Sequence, residues 1–408
     1  MKKILRAIFV CLGLSICFGF ECNAEPSDKI VIMIDPGHGG DNLGAQVDGI
    51  IEKEINLKVA KAMKEHLSMY EGVEVHLTHD TDKALTLKKR AQIAEKENAD
   101  YLISLHFNAS EYHQLYGTEC WVPYDDFYEE TYEFASYFID ELTEIGLFNR
   151  GIKTRLNDEG DNYYGIIRES EKLDIPCVLV EHCHLDNEND DGYYETDKKL
   201  EEFGVLDAEA VAKYLGLKSK RLGTDYSDYR LEVTVPISEN TRDKTGPTDC
   251  YLSVKEYNQY TGEITLIFTA GEEDSRLLYY DYSIDGGITF SARYPMEKEN
   301  IEISMVLDEG SSPEIVVRAY NLNDICTSSN VIDMGIIEYV PLEEDMPAAQ
   351  ISPDEKKENE MKQKILTFLV IILILLIVCS MAIMTLYIVK VVTHSRRRKR
   401  RRSRTQRK

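Results

Sequence analysis

Ile34-Asp35-Pro36-Gly37-His38-Gly39-Gly40 is the stretch that decides the fold, because it joins an apolar run to a glycine-rich turn. Residues 30–33 before it are all apolar, which is typical of a buried strand in a parallel sheet. Pro36 ends that strand, and the glycines permit a tight turn. His38 is therefore predicted at the carboxyl end of a strand, where open α/β sheets place their ligands.

Two further apolar runs end in the same way as the first. Residues 101–105 lead into His106, and residues 177–180 lead into Glu181. A catalytic zinc ion commonly takes three protein ligands and leaves one position for water, and two histidines with one carboxylate are enough. Glu52, at the turn just before the first predicted helix, is the candidate third ligand. Glu181 is then placed to deprotonate the water and hand the proton on.

The pattern from residue 27 to 217 predicts an α/β fold, a three-layer domain with a mostly parallel central sheet, because apolar strands alternate with amphipathic helices. A second strand is predicted at 73–78 and an edge strand at 117–122. Helices are predicted at 54–67, 87–98, 126–146 and 205–215.

From residue 226 to 340 the pattern changes to short period-two strands separated by turn residues. This spacing predicts a β-sandwich domain of immunoglobulin-like type. Its strands are predicted at 230–235, 262–269, 277–283, 301–306 and 314–320.

The two ends of the chain predict a secreted, anchored protein. Three basic residues precede the uncharged run 7–20, which favours a signal peptide at 1–24 over an uncleaved anchor or a lipoprotein site at Cys17. Residues 365–389 contain no charge and predict a transmembrane helix. The basic tail at 390–408 would then be cytoplasmic. The acidic stalk at 341–364 and both domains would be extracellular. The predicted location is the cell membrane, with a single pass.

The charge of the chain bears on its partners. The net charge is -25 although residues 390–408 are strongly basic, so the middle of the chain is more acidic still. An acidic body argues against a nucleic-acid partner. DNA binding by the basic tail is the alternative, but its position beside a predicted span favours a topology signal.

Taken in order, the motifs of residues 29–217 resemble the zinc-dependent N-acetylmuramoyl-L-alanine amidases of the type 3 family. The resemblance is carried by these segments: IDPGHGG (34–40), EKEINL (52–57), LTHDTD (77–82), the run 87–109, GTECWV (117–122), RGIK (150–153), YYGIIR (163–168) and IPCVLVE (175–181).

The resemblance implies that His38, Glu52 and His106 hold Zn²⁺ and that Glu181 is the general base and acid. It also implies the reaction, hydrolysis of the amide bond between N-acetylmuramic acid and L-alanine during peptidoglycan remodelling. Asn108 matches a position that buttresses the site. Arg168 is expected to contact a carboxylate of the peptidoglycan stem peptide.

The chain departs from the family directly after Glu181, where it has His182-Cys183-His184 instead of apolar residues and glycine. His184 is either an extra ligand, proton relay or substrate contact, or simply an exposed loop histidine, which is the preferred interpretation. Two other functions stay open: a catalytically silent peptidoglycan-binding surface receptor, and another zinc hydrolase such as a peptidase or deacetylase. The sequence does not define an oligomeric state.

Overall fold

The structure is a computed structural model that describes residues 29–340, except 112, 243 and 297, together with 357, 361–365 and 367. The predicted signal peptide and basic tail lie outside the described residues, as does most of the predicted stalk. The described residues from 29 to 339 belong to one compact unit. Beyond it, the described residues 361–365 are helical.

The first part of this unit alternates strands and helices. In chain order these are β1 (Ile30–Pro36), β2 (Gln46–Val47), β3 (Ile50–Ile51), α1 (Glu52–Leu67), β4 (Val73–Leu77), α2 (Leu87–Lys96), β5 (Tyr101–Asn108), β6 (Thr118–Trp121), α3 (Tyr128–Glu144), β7 (Asn149–Lys153), α4 (Gly165–Glu171), β8 (Cys177–His184) and α5 (Asp197–Tyr214).

Six of these strands form the central sheet, in the order β4-β1-β5-β8-β6-β7. All neighbours are parallel except β6, which runs antiparallel to β8. Helices α1, α3 and α5 pack on one face through the larger core, and α2 and α4 pack on the other. The predicted three-layer α/β fold with a mostly parallel sheet is confirmed. Strand β8 is buried along its whole length, as expected for a strand covered on both faces.

The far edge of the sheet differs from the prediction. Strand β6, predicted at the edge, is inside the sheet, because β7 pairs with its other side. Strand β7 carries Arg150 and Lys153, whose charges hide its strand pattern, although both side chains are buried against Glu119. Helix α4 was also not predicted, since it has only seven residues.

The second part of the unit is rich in strands. These are β9 (Lys218–Ser219), β10 (Thr224–Asp225), β11 (Thr248–Tyr257), β12 (Glu263–Gly271), β13 (Leu277–Ser283), β14 (Tyr294–Pro295), β15 (Asn300–Val306), β16 (Glu314–Asn321), β17 (Cys326–Ser328) and β18 (Ile332–Asp333), with a 3-10 helix at Asn240–Arg242. One antiparallel sheet has the order β11-β12-β15, and a second has the order β14-β13-β16-β17 with β18 paired to β16. We refer to residues 240–339 as the β-rich region.

The β-rich region is not clearly a single immunoglobulin-like domain, so that part of the predicted fold class is wrong. Besides an apolar core of its own, the region has a second cluster in which Tyr279 and Tyr320 pack against Tyr116 and Phe148 of the α/β part. Residues 230–235, predicted as a strand, form none and lie against the α/β core. Strand β11 was missed because, apart from Leu252, its residues are exposed or half-buried and give no period-two signal.

The predicted transmembrane helix is also corrected. In the part of the chain that the structure describes, no helix is long and apolar enough to cross a bilayer. This finding overturns the single-pass membrane location, the membrane partner and the assignment of extracellular and cytoplasmic ends, which depended on the length of one uncharged run. Residues 365–389 lie outside the described residues, apart from 365 and 367.

The contact between α1 and α5 gives a stability prediction. A Cβ atom added at Gly204 in α5 would lie 2.6 Å from both the Met63 nitrogen and the Val59 oxygen of α1. Glycine-to-alanine changes inside helices usually stabilise by roughly 0.5–1 kcal/mol, but crowding of a packed core costs about 1–3 kcal/mol. Gly204→Ala is therefore expected to lower the free energy of unfolding, measured by urea denaturation.

The matched control is Glu201→Ala, at an exposed position of the same helix. It is expected to change the unfolding free energy by less than about 0.5 kcal/mol. A Gly204→Ala protein as stable as the unchanged chain would contradict the close packing of α1 on α5.

Candidate active site

His38 is held in an unusual backbone conformation at the end of β1. Its φ angle is 65°, a left-handed value that few residues other than glycine adopt. The buried Arg90 holds this turn, since its guanidinium donates to the carbonyl oxygens of Pro36 and His38 and pairs with Asp35 at 2.8 Å. Such strain persists only where surrounding contacts impose it, and it is concentrated at functional sites.

The three predicted metal ligands lie together. Glu52 Oε2 is 3.0 Å from His38 Nε2, and Glu52 Oε1 is 3.0 Å from His106 Nδ1. The ring centroids of the two histidines are 4.9 Å apart. One ligand atom from each of the three residues lies within 4.8 Å of the other two, so the group can hold a metal ion.

The carboxylate of Glu52 is fixed from several sides. Glu52 is the first residue of α1, and its oxygens accept hydrogen bonds from the backbone nitrogens of Ala45 and Phe107 and from Asn56 Nδ2. Burial alone would raise the pKa of Glu52, but hydrogen bonds from His106 and His38 outweigh it and hold the pKa well below its usual range. Glu52 is therefore ionised and set for a cation.

Asn42 sets the orientation of the His38 ring. Its Oδ1 lies 3.0 Å from His38 Nδ1 and also accepts from the backbone nitrogen of Gly44. When Nδ1 donates to this oxygen, Nε2 is the ring nitrogen that faces Glu52 and is left to bind a cation. His38 and Asn42 thus match the arrangement of a metal-binding histidine and the residue that orients it through its other ring nitrogen.

Two glycines leave the space that this group occupies. A Cβ atom at Gly37 would lie 2.3 Å from the His106 ring, and one at Gly44 would lie 2.4 Å from Glu52 Oε2. Gly44 also has a positive φ of 70°. Neither position tolerates a side chain without displacing a candidate ligand.

Glu181 lies beside the three candidate ligands. Its strand pairs with β5 so that Glu181 is opposite His106, and with β6 so that it is also opposite Glu119. The side chain is buried, and Oε2 has no hydrogen-bond partner among the described residues. Burial, followed by the charges of Glu52 and Glu119, raises the pKa of Glu181 well above its usual range. A buried carboxyl group in this position is placed to take up a proton and to pass it on.

A cleft of about 640 Å³ opens onto these residues. His38, Glu52, His106, Asn108 and Glu181 all line it. Arg168 does not, because its guanidinium donates to the carbonyl oxygens of Asn162 and Tyr163. Four of the predicted residues, the three candidate ligands and Glu181, therefore lie together in this cleft, and Asn108 lines it beside them.

The histidines after Glu181 lie in the protein interior. His182 is fully buried, 2.9 Å from Asp207 Oδ2 and stacked on Phe107. His184 is also fully buried, with Nδ1 3.2 Å from the Gly117 carbonyl oxygen, and burial lowers its pKa to about 4. Neither histidine lines the cleft.

Several residues around the site were not found from the sequence. Asn42 and Asn56 orient two of the candidate ligands, and Glu119 accepts from Asn108 Nδ2 at 2.9 Å. The available signals were weak: Asn56 follows Glu52 by four residues on one helix face, and Glu119 is a charge within a short, otherwise uncharged strand.

Comparison with known proteins agrees with this geometry. The family model described as "N-acetylmuramoyl-L-alanine amidase" matches residues 32–213, which include all four clustered residues. N-acetylmuramoyl-L-alanine amidase CwlM of Bacillus licheniformis is 32% identical over 163 residues, which are 40% of this chain and 59% of that protein. The uncharacterized protein YqiI of Bacillus subtilis is 32% identical over 193 residues, 47% of this chain and 87% of that protein.

A solved structure gives a similar match. The N-acetylmuramoyl-L-alanine amidase from Clostridium difficile 630 is 26% identical, with 46% of this chain and 98% of that chain covered and a TM-score of 0.42. On the family model and the curated relatives, the chain belongs to the N-acetylmuramoyl-L-alanine amidase family and is an enzyme of that class.

Proposed function

We propose that this chain is a zinc-dependent amidase that separates N-acetylmuramic acid from L-alanine in peptidoglycan, with residues 27–217 as its catalytic domain. The observation that carries the proposal is the convergence of His38, Glu52 and His106 at one cleft, with Glu181 beside them. Family membership supports the choice of bond.

The donor set fits zinc. Two imidazole nitrogens and one carboxylate oxygen are a common three-ligand set of catalytic zinc sites, and Asn42 and Asn56 supply outer hydrogen bonds. Zinc bound there supplies a Lewis acid that polarises the scissile carbonyl and makes water a better nucleophile at neutral pH. His38, Glu52 and His106 would hold the ion.

Glu181 moves the proton in this proposal. Its unpartnered Oε2 accepts a proton from the attacking water while the water oxygen bonds to the lactyl carbonyl carbon. The same carboxyl group then donates that proton to the alanine nitrogen as the carbon–nitrogen bond breaks. The products are a free lactyl carboxylate and a stem peptide with a new amino group.

Burial of Glu181 supports an enzyme over a catalytically silent receptor. A silent peptidoglycan receptor has no use for a buried, unpartnered carboxyl group beside the ligand set, because burying it costs free energy. A peptidase or deacetylase could use the same four residues, and product analysis separates it from an amidase. An amidase frees stem peptide and leaves the glycan uncut.

The division of roles predicts different losses in two variants. Glu181→Gln is expected to keep bound zinc but lose about 10²–10⁴-fold in kcat, because only the proton transfer is removed. His38→Ala is expected to lose both zinc and activity, because one of three ligands is gone. Zinc content is measured by mass spectrometry of the purified protein, and activity by release of stem peptide from purified cell wall.

The control is His76→Ala, a histidine outside the cleft whose side chain pairs only with Glu74 among the described residues. Zinc content and activity should both stay unchanged. Ordinary activity in Glu181→Gln would remove the assignment of the proton carrier.

Removal of the metal gives an independent prediction. Dialysis against a chelator should abolish activity, and added Zn²⁺ should restore it while Mg²⁺ should not, because imidazole ligands favour zinc and magnesium prefers oxygen. The measurement is the rate of stem-peptide release before chelation, after it and after each metal is added. Full activity in protein shown to be metal-free would refute zinc dependence.

A further inference from the structure

A second cavity adjoins the catalytic cleft. It has a volume of about 840 Å³, and Asn108 and Tyr164 line both cavities. Its walls come from the α/β part, through β6, β7 and the loop after β7, and from the β-rich region, through Arg242, Lys244 and residues 323–325. The two cavities are therefore neighbours, and the second is completed only by the β-rich region.

The second cavity is cationic in a strongly acidic chain. Five Lys or Arg side chains and three Asp or Glu side chains line it, although the net charge of the chain is -25. Two of the three acidic side chains already form ion pairs with cations that line the same cavity. Glu119 pairs with Arg150 at 2.9 Å and with Lys153 at 2.8 Å, and Asp324 pairs with Arg150 at 2.7 Å.

Three lining cations, Arg155, Arg242 and Lys244, form no ion pair with the described residues. The Arg155 guanidinium lies 3.8 Å from the ring centroid of Tyr163, and the Arg242 guanidinium lies 4.2 Å from that of Tyr124. The Tyr163 ring contacts the face of the Arg155 guanidinium and leaves its in-plane donors free of that contact, and such donors suit the two oxygens of a carboxylate.

Arg242 also has an unsatisfied donor. One of its terminal nitrogens donates to Tyr124 Oη at 2.8 Å, while Nε is buried and has no hydrogen-bond partner among the described residues. An unpaired buried donor costs free energy, and an incoming anion offsets that cost. Lys244, two residues along the chain, is exposed and adds a flexible positive charge.

We propose that the second cavity binds a free carboxylate of the stem peptide, with Arg155, Arg242 and Lys244 as residues that determine specificity. The proposal rests on the proposed function, since the substrate of that reaction has a neutral glycan on one side of the scissile amide and a peptide with carboxylates on the other. A cationic cavity next to the catalytic cleft selects the peptide side. The β-rich region thus supplies part of the substrate site.

Two substrates of the full-length protein test this inference. They are a muropeptide with free stem carboxylates and the same muropeptide with those groups converted to carboxamides. The unchanged protein is expected to show a KM about tenfold lower for the free-carboxylate substrate. Arg242→Gln/Lys244→Gln should remove this preference by raising KM for the free-carboxylate substrate alone, with kcat nearly unchanged.

The matched control is Lys61→Gln/Lys220→Gln, which removes the same charge from exposed positions outside both cavities. It should keep the full preference. Lys244→Glu is a second test at an exposed side chain that cannot disturb the core, and it should raise KM for the free-carboxylate substrate more than tenfold.

This inference would be overturned if the unchanged protein had equal KM values for the two substrates. It would also be overturned if both cavity variants kept the preference for the free-carboxylate substrate. Either result would leave the zinc amidase reaction standing. If the unchanged protein cleaved neither substrate, that result would instead count against the proposed function.

Discussion

The carboxylate of Glu52, held between two imidazoles, is the interaction on which the site depends. It approaches His38 and His106 at 3.0 Å each from the first turn of a helix, while His38 follows β1 and His106 lies in β5, the parallel strand beside it. The sheet brings the histidines together, and the β2–β3 hairpin leads directly into α1, whose first residue is Glu52. The left-handed backbone of His38 and the space left at Gly37 and Gly44 allow these three groups to lie in contact.

A second buried carboxylate, Glu119, extends this arrangement beyond the catalytic cleft. It accepts from Asn108, which lines the cleft, and from Arg150 and Lys153, which line the cationic cavity. Burial would raise its pKa, but the charges of Lys153 and Arg150 hold the pKa of Glu119 well below its usual range. Arg150 continues the network to Tyr279 and Asp324 of the β-rich region. Because Glu119, Arg150, Lys153 and Tyr279 are buried and hydrogen-bonded, this network links the β-rich region to the strands beside the active site.

The sequence predicted those features that a single run of residues encodes. Apolar runs ending in His38, His106 and Glu181 gave three strand ends at one edge of a sheet, and Glu52 followed from the requirement for a third ligand. It could not predict features that depend on partners far along the chain. Arg150 looks like a surface charge until Glu119 and Asp324 surround it, and the strand that contains it was therefore missed.

The errors outside the site have a similar origin. Residues 230–235 alternate between polar and apolar side chains as a strand does. They pack on the α/β core, however, and pair with no strand among the described residues. The transmembrane prediction rested on composition alone, and the described residues contain no helix able to span a bilayer. His182 and His184 were expected on an exposed loop, whereas β8 continues through both and buries them. For residues 230–235 and for the two histidines, the tertiary neighbours decide the outcome, and a local pattern carries no information about them.

The measurement that tests the central claim most directly is X-ray diffraction from crystals of the purified protein, with data collected on both sides of the zinc absorption edge. The account predicts one anomalous peak, in contact with His38, Glu52 and His106 and next to Glu181. A zinc peak bound by other residues, or Glu52 turned away from the two histidines in the zinc-bound protein, would contradict it.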